Sequence, residues 1–113
     1  MRSQRLAFID TETTGLEPDN HEILQIGLVL VEQTISSEKK IILKILDEWE
    51  VKIKPEHIEN ADPIGLKICH YKEEDWVSAI SLGEAMAVFS EKTADSIMVG
   101  QNVPFDFAFL EKA

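Results

Sequence analysis

Cysteine is nearly missing from this chain: Cys69 is the only one in 113 residues. That excludes a disulfide framework and a Cys-rich zinc site, and it points to a reducing, cytoplasmic compartment. Long apolar runs are missing as well. Residues 1 to 5 are polar apart from Met1, and the apolar stretch that begins at Leu6 is broken at Asp10, so no signal peptide is expected. No segment approaches the roughly 18 apolar residues needed to cross a bilayer, which removes membrane roles. Positive charge is scarce too: 11 Lys and Arg stand against 21 Asp and Glu, for a formal net charge of −10. Such a balance speaks against binding polyphosphate through a broad basic surface. It suits another use of acids, because enzymes that cleave phosphodiesters through metal ions need clustered carboxylates. The rest of the composition, 44% hydrophobic and 28% charged, is that of one globular domain, with no repeats and no low-complexity segment.

Hydrophobic spacing divides the chain into elements. Arg5 to Ile9 reads as a short buried strand that stops at Asp10, and Thr13 to Asn20, with Gly15 and Pro18, as a loop. Glu22 to Glu32 reads as a second strand. Beyond a turn at Ser36 to Lys40, Ile41 to Ile53 is a third, with Trp49, Val51 and Ile53 alternating with charged neighbours. After Pro55 the spacing becomes helical: Pro63 to Tyr71 with Asp62 as N-cap, then a helix opened by Ser81 and Glu84 with the stripe Leu82, Ala85, Met86 and Phe89. Ile97 to Val99 is a short strand ending at Gly100. Pro104 to Lys112 reads as a helix with Phe105, Phe109 and Ala108 facing inward. The expected fold is α/β, with an antiparallel three-stranded meander, a crossover to a parallel strand and flanking helices. Ending on a helix directly after a strand leaves one sheet face short of cover, so the expectation is a C-terminally incomplete domain.

Two segments carry chemistry. In Phe8-Ile9-Asp10-Thr11-Glu12-Thr13-Thr14-Gly15-Leu16, two carboxylates stand at i and i+2 on a strand and therefore on one face. In Val99-Gly100-Gln101-Asn102-Val103-Pro104-Phe105-Asp106, a third acid occupies the first turn of a helix that follows an apolar strand. If the two strands are neighbours, Asp10, Glu12 and Asp106 converge. Carboxylates about 4 Å apart repel by roughly 4 kcal/mol per pair at an effective dielectric near 20. A divalent cation reverses that sign, and hard oxygen donors without Cys or clustered His select Mg²⁺ or Mn²⁺ over zinc.

These segments are similar to the first and second motifs of the DEDD, or DnaQ-like, 3′→5′ exonuclease superfamily. Asp10 and Glu12 match the Asp-x-Glu of motif one, flanked by Thr13, Thr14, Gly15 and Leu16; Asn102, Phe105 and Asp106 match the Asn-x-x-Phe-Asp of motif two. The resemblance covers essentially residues 1–113, including the stretch from His57 to Phe89, and implies a ribonuclease H-like fold. It further implies a hydrolase that removes nucleotides from the 3′ ends of DNA or RNA with two Mg²⁺ or Mn²⁺ ions. On it, Asp10 bridges the ions, Glu12 binds one and orients water, and Asp106 holds the other. Thr13 meets the 3′-terminal nucleotide, Leu16 packs on its base, and Asn102 and Phe105 shape the pocket floor. The partner implied is a single-stranded 3′ end, in a polymerase or repair setting that the residues do not specify.

The family's third motif, a His or Tyr followed by a fourth Asp, belongs after motif two, and the sequence ends at Ala113. His57 with Asp62 and His70 with Asp75 show the His-type spacing, but both precede motif two and are read as decoys; His21 has no evident partner. The rest of the chain resembles the His-type branch. Without a general base and one ligand, the 113-residue chain alone is expected to be poorly active or inactive. Two other readings compete. A haloacid dehalogenase-like phosphatase needs Asp-x-Asp-x-Thr, and the second acid here is Glu12. A truncated or degenerate domain would bind metal or a partner without turnover.

Overall fold

Three strands of 12 or 13 residues determine the shape of the molecule. A strand of that length spans about 40 Å, and the molecule measures 55 × 25 × 22 Å. The computed structural model describes residues 2–113. In it β1 (Arg2–Thr13), β2 (Ile23–Ile35) and β3 (Ile41–Lys52) form an antiparallel meander, and β4 (Ser96–Val99) adds in parallel to the other edge of β1. The order is β3-β2-β1-β4. The meander and the parallel fourth strand are the arrangement anticipated from the sequence.

The ladders set which side chains share a face. From Arg2↔Ile35 to Glu12↔Gln25, β1 stays in register with β2, and a shift follows at Thr13. Ala7 and Ile9 of β1 and Ile26, Leu28 and Leu30 of β2 point to one side, where they pack with Ala85, Phe89, Phe109 and Leu110. Those partners come from α2 (Leu82–Thr93) and α3 (Val103–Lys112), which therefore cover the same face. The opposite face carries Phe8 and Ile97, both exposed, so the sheet is covered on one side and open near β1 and β4 on the other. Among the described residues no helix is long and apolar enough to cross a membrane.

Local chemistry accounts for the helix starts. The Asp62 carboxylate accepts from the Ile64 amide at 2.9 Å and opens α1 (Pro63–Ile68), with Pro63 at its first position. Ser81 accepts from Glu84 N at 3.2 Å and opens α2. Between them, Trp76 pins the connection to the sheet by donating its indole N–H to the Leu24 carbonyl at 3.1 Å.

Several boundaries differ from the sequence reading. β1 does not stop at Asp10, because β2 offers a ladder as far as Thr13. α1 ends at Ile68 and not at Tyr71, as the chain turns through a left-handed residue at His70 (φ 55°). On α3 Phe109 and Leu110 are buried and Phe105 packs against the core as expected, while Ala108 is exposed.

Candidate active site

Alternation along β1 separates the acids from the core. Ala7, Ile9 and Thr11 are buried, so Phe8, Asp10 and Glu12 lie on the other side of the strand. Asp10 faces Gly27 across the ladder, and Gly27 faces Glu50 of β3. A side chain at position 27 would come within 4.0 Å of Asp10 Cβ, so glycine there keeps the flank of Asp10 open. Gln25 Nε2 donates to Glu50 Oε1 at 2.8 Å and holds that acid over β2.

The third acid arrives from β4. The β1–β4 ladder ends at Phe8↔Val99, and the chain then passes Gly100, where an added Cβ would stand 3.2 Å from Ile9 O and 3.6 Å from Asp106 Oδ2. This close passage brings α3 in against the end of β1. The Asn102 carbonyl accepts from the amides of Phe105 and Asp106, at 3.0 and 3.2 Å, and starts the helix. Asp106 is thereby buried, 6% exposed, and accepts a hydrogen bond from the Thr11 hydroxyl. Thr11, between the two motif-one acids, is a positioning residue that the spacing Asp-x-Glu conceals. Its inward parity on the strand was the signal.

Asp106, bonded to Thr11, reaches the core side of β1, while Asp10 and Glu12 lie on its other side; Glu12 is the carboxyl on which the other two act. Burial pushes the Glu12 carboxyl up from its ordinary value, the charges of Asp10 and Asp106 push the same way, and the charge of His70 opposes them. Among the described residues no Lys, Arg or His forms an ion pair with Asp10, Glu12 or Asp106. Neither do three His, Cys, Asp or Glu side chains, as placed, stand close enough to share one ion. The donor set is nevertheless that of a hard cation: carboxylate oxygens only, repelling one another at Glu12 and held in no ion pair among the described residues.

Beside Glu12 lies a cavity of about 230 Å³, lined by Thr11, Glu12, Thr13, Gly15, Leu16, Asp62, Ile64, Gly65, Ile68 and Phe105. Three of the four residues expected to meet substrate, Thr13, Leu16 and Phe105, thus line this cavity, with Leu16 76% exposed. The fourth, Asn102, does not line this cavity. The Thr13 hydroxyl donates to the Gly15 carbonyl at 2.6 Å and so shapes the loop. What closes the cavity opposite Leu16 is α1. Gly65 approaches so closely that an added Cβ would stand 2.7 Å from the Thr14 carbonyl oxygen, which also accepts from Asp62 N at 2.8 Å. Ile64 and Ile68, whose spacing marks the helix, are both exposed here and line the cavity.

The histidines behave differently from one another. His57 Nδ1 lies 3.3 Å from Glu59 and its amide donates to Glu22, so no His57–Asp62 pair forms. His21, taken to lack a partner, accepts from the Glu17 amide at 3.0 Å and packs its ring over Gly15. The charge of His70 acts on Glu12, without His70 joining the acids in a group that could share one ion among the described residues.

Comparison with known proteins gives the same picture at the level of family and fold. The RNase T family model, described as Exonuclease, matches residues 7–113. A PolC-type DNA polymerase III from Thermotoga maritima is 31% identical over 102 residues, covering 90% of this chain and 7% of the relative. The 3′-5′ exonuclease DinG of Staphylococcus epidermidis is 28% identical over 107 residues, 95% of this chain and 11% of its own length. The chain therefore spans about a tenth of these relatives. Among solved structures, E. coli exonuclease I in complex with a dT13 oligonucleotide superposes with a TM-score of 0.72 at 18% identity, over 95% of this chain and 22% of that one.

Proposed function

Since the chain belongs to the exonuclease family whose model it matches over residues 7–113, we propose that it forms the acid-bearing part of a 3′→5′ exonuclease acting on single-stranded ends. The observation that carries this reading is the delivery of a buried Asp106 to Thr11, within electrostatic reach of Glu12, beside an apolar cavity. Asp10, Glu12 and Asp106 would hold Mg²⁺ or Mn²⁺, two ions in the complete arrangement. Divalent cations there supply charge neutralisation and Lewis acidity toward a phosphodiester.

The chain's own residues would do the positioning. Leu16 and Phe105, with Ile64 and Ile68 opposite, offer apolar surface to the base of the terminal nucleotide. Thr13 holds the loop that carries Leu16, and Asn102 starts the helix that carries Asp106. Hydrolysis adds a water oxygen to the terminal phosphorus and breaks its bond to the O3′ of the preceding nucleotide. A nucleoside 5′-monophosphate leaves, and the shortened strand keeps a 3′ hydroxyl. The relatives' names supply the context of a DNA polymerase or of a 3′-5′ exonuclease, and the work of this chain is proposed to take place in the cytoplasm.

The test is to incubate the protein with 3′-labelled single-stranded DNA and RNA in Mn²⁺, beside Asp10→Ala and Asp106→Ala. Release of labelled mononucleotide that both substitutions abolish supports the reading. Binding of the 3′ end without turnover supports the non-catalytic alternative, and turnover undiminished in both variants contradicts the site.

A further inference from the structure

The outer strand of the β2–β3 hairpin is the free edge of the sheet, and its first half, from Ile41 to Leu46, is exposed. On that edge Ile41, Leu43 and Ile45 alternate along one face and are 64%, 63% and 60% exposed. Ile42 and Leu46 are exposed on the same stretch. Edge strands are ordinarily protected by proline, by several charges or by bulges. From Ile41 to Ile45 there is no proline and one charge, Lys44. Leu30 pairs with Asp47 and Val31 with Ile45, so the bulge at Leu46 ends the regular edge and leaves five residues clean.

We propose that this edge pairs with a second copy of the chain, antiparallel about a two-fold axis through Leu43. Two features favour a copy over an unrelated strand. The first is steric: in that register Leu43 faces its counterpart and Ile41 faces Ile45, on the same side of the sheet, so three apolar residues from each copy join in one stripe. The second is charge, because β3 is polar end to end. Lys39 and Lys40 stand just before it and Lys44 in its first half, and its second half carries Glu48 and Glu50 beside Asp47, which pairs with Lys92. Antiparallel self-pairing sets the basic end of each copy alongside the acidic stretch of the other, whereas parallel pairing would align like charges. The acids Asp10 and Glu12 lie near the other end of the meander, paired through β2 with the part of β3 closing at Lys52. Pairing therefore leaves the proposed active site open, and its success does not depend on the nuclease reading. A five-residue ladder buries little compared with the roughly 1,200–2,000 Å² of a stable complex, so the association is weak and grows with concentration.

Sedimentation equilibrium of the protein over a wide concentration range, in parallel with Leu43→Lys, tests the proposal. Two variants in a Cys69→Ser background test the register: Leu43→Cys places two thiols across the axis, and Lys52→Cys places them far apart. The expected result is a concentration-dependent dimer that Leu43→Lys abolishes, with an oxidised cross-link formed by Leu43→Cys and not by Lys52→Cys. A parent that stays monomeric throughout overturns the proposal. So does a Leu43→Lys protein that dimerises like the parent, or cross-linking through Lys52→Cys as readily as through Leu43→Cys.

Discussion

Replacing Gly65 by alanine should loosen the wall of the cavity beside Glu12. The added Cβ would lie 2.7 Å from Thr14 O, 2.9 Å from Thr14 C and 3.2 Å from Gly15 N, all backbone atoms. Ordinary contact begins near 3.4 Å, so α1 and the loop must separate by roughly 0.7 Å, the difference between those distances, against a core-like packing rule that makes overfilling costly. The loop has little freedom to yield: Thr14 N donates to Glu22 O at 2.8 Å, Thr14 O accepts from Asp62 N at 2.8 Å, and Thr14 Oγ1 accepts from Glu22 N at 2.9 Å. Overpacking costs about 1–3 kcal/mol, and alanine returns about 0.8–1.0 kcal/mol of helix propensity. The expected net loss is about 1 kcal/mol, or ~4 °C in Tm for a domain near this size. Gly83→Ala is the control, since a Cβ there meets nothing within 4 Å, and it should be neutral or stabilising. Thermal melts of both variants provide the comparison. Gly65→Ala melting at or above the parent would refute the close approach of α1 to the loop.

Two further substitutions probe the acids. Thr11→Val removes the hydroxyl that donates to buried Asp106, and urea melts should show a loss of about 1.5–3 kcal/mol, the range for a hydrogen bond to a charged group; an unchanged midpoint would mean that Asp106 does not depend on Thr11. Glu12→Gln should stabilise the metal-free protein at neutral pH. The carboxyl of Glu12 is pushed up from 4.5 in the folded state, so its contribution to stability is complete below pH 4.5 and is lost as pH rises through the folded value. Urea melts in a chelator from acid to neutral pH should show the two proteins diverging as pH rises, and parallel curves would contradict the raised value.

How much of this could be read from the residues depended on the kind of signal. Strand alternation placed Asp10 and Glu12 on one face, and the cap residues Asp62 and Ser81 marked two helix starts, because each is a local rule with a local cause. The parallel placement of β4 beside β1 was legible from order and motif. What stayed hidden was contact between distant segments. Gly65 against Thr14 joins residues about fifty positions apart, and neither position alone signals it. The spacing of Ile64 and Ile68 marks a helix but does not say that they flank a cavity. His70 and Asp75 have the spacing of a catalytic pair, yet the spacing does not show that the charge of His70 acts on Glu12. The extension of β1 to Thr13 followed from the partner strand, which no reading of residues 5–10 contains.

The central claim is that Asp10, Glu12 and Asp106 form a divalent-cation site. Isothermal titration of the metal-free protein with Mn²⁺ tests it most directly, beside Asp10→Ala and Asp106→Ala, with circular dichroism to show that each variant is folded. A saturable isotherm in the parent that disappears in both folded variants is the result expected. Variants that titrate like the parent would place the metal elsewhere and contradict the account.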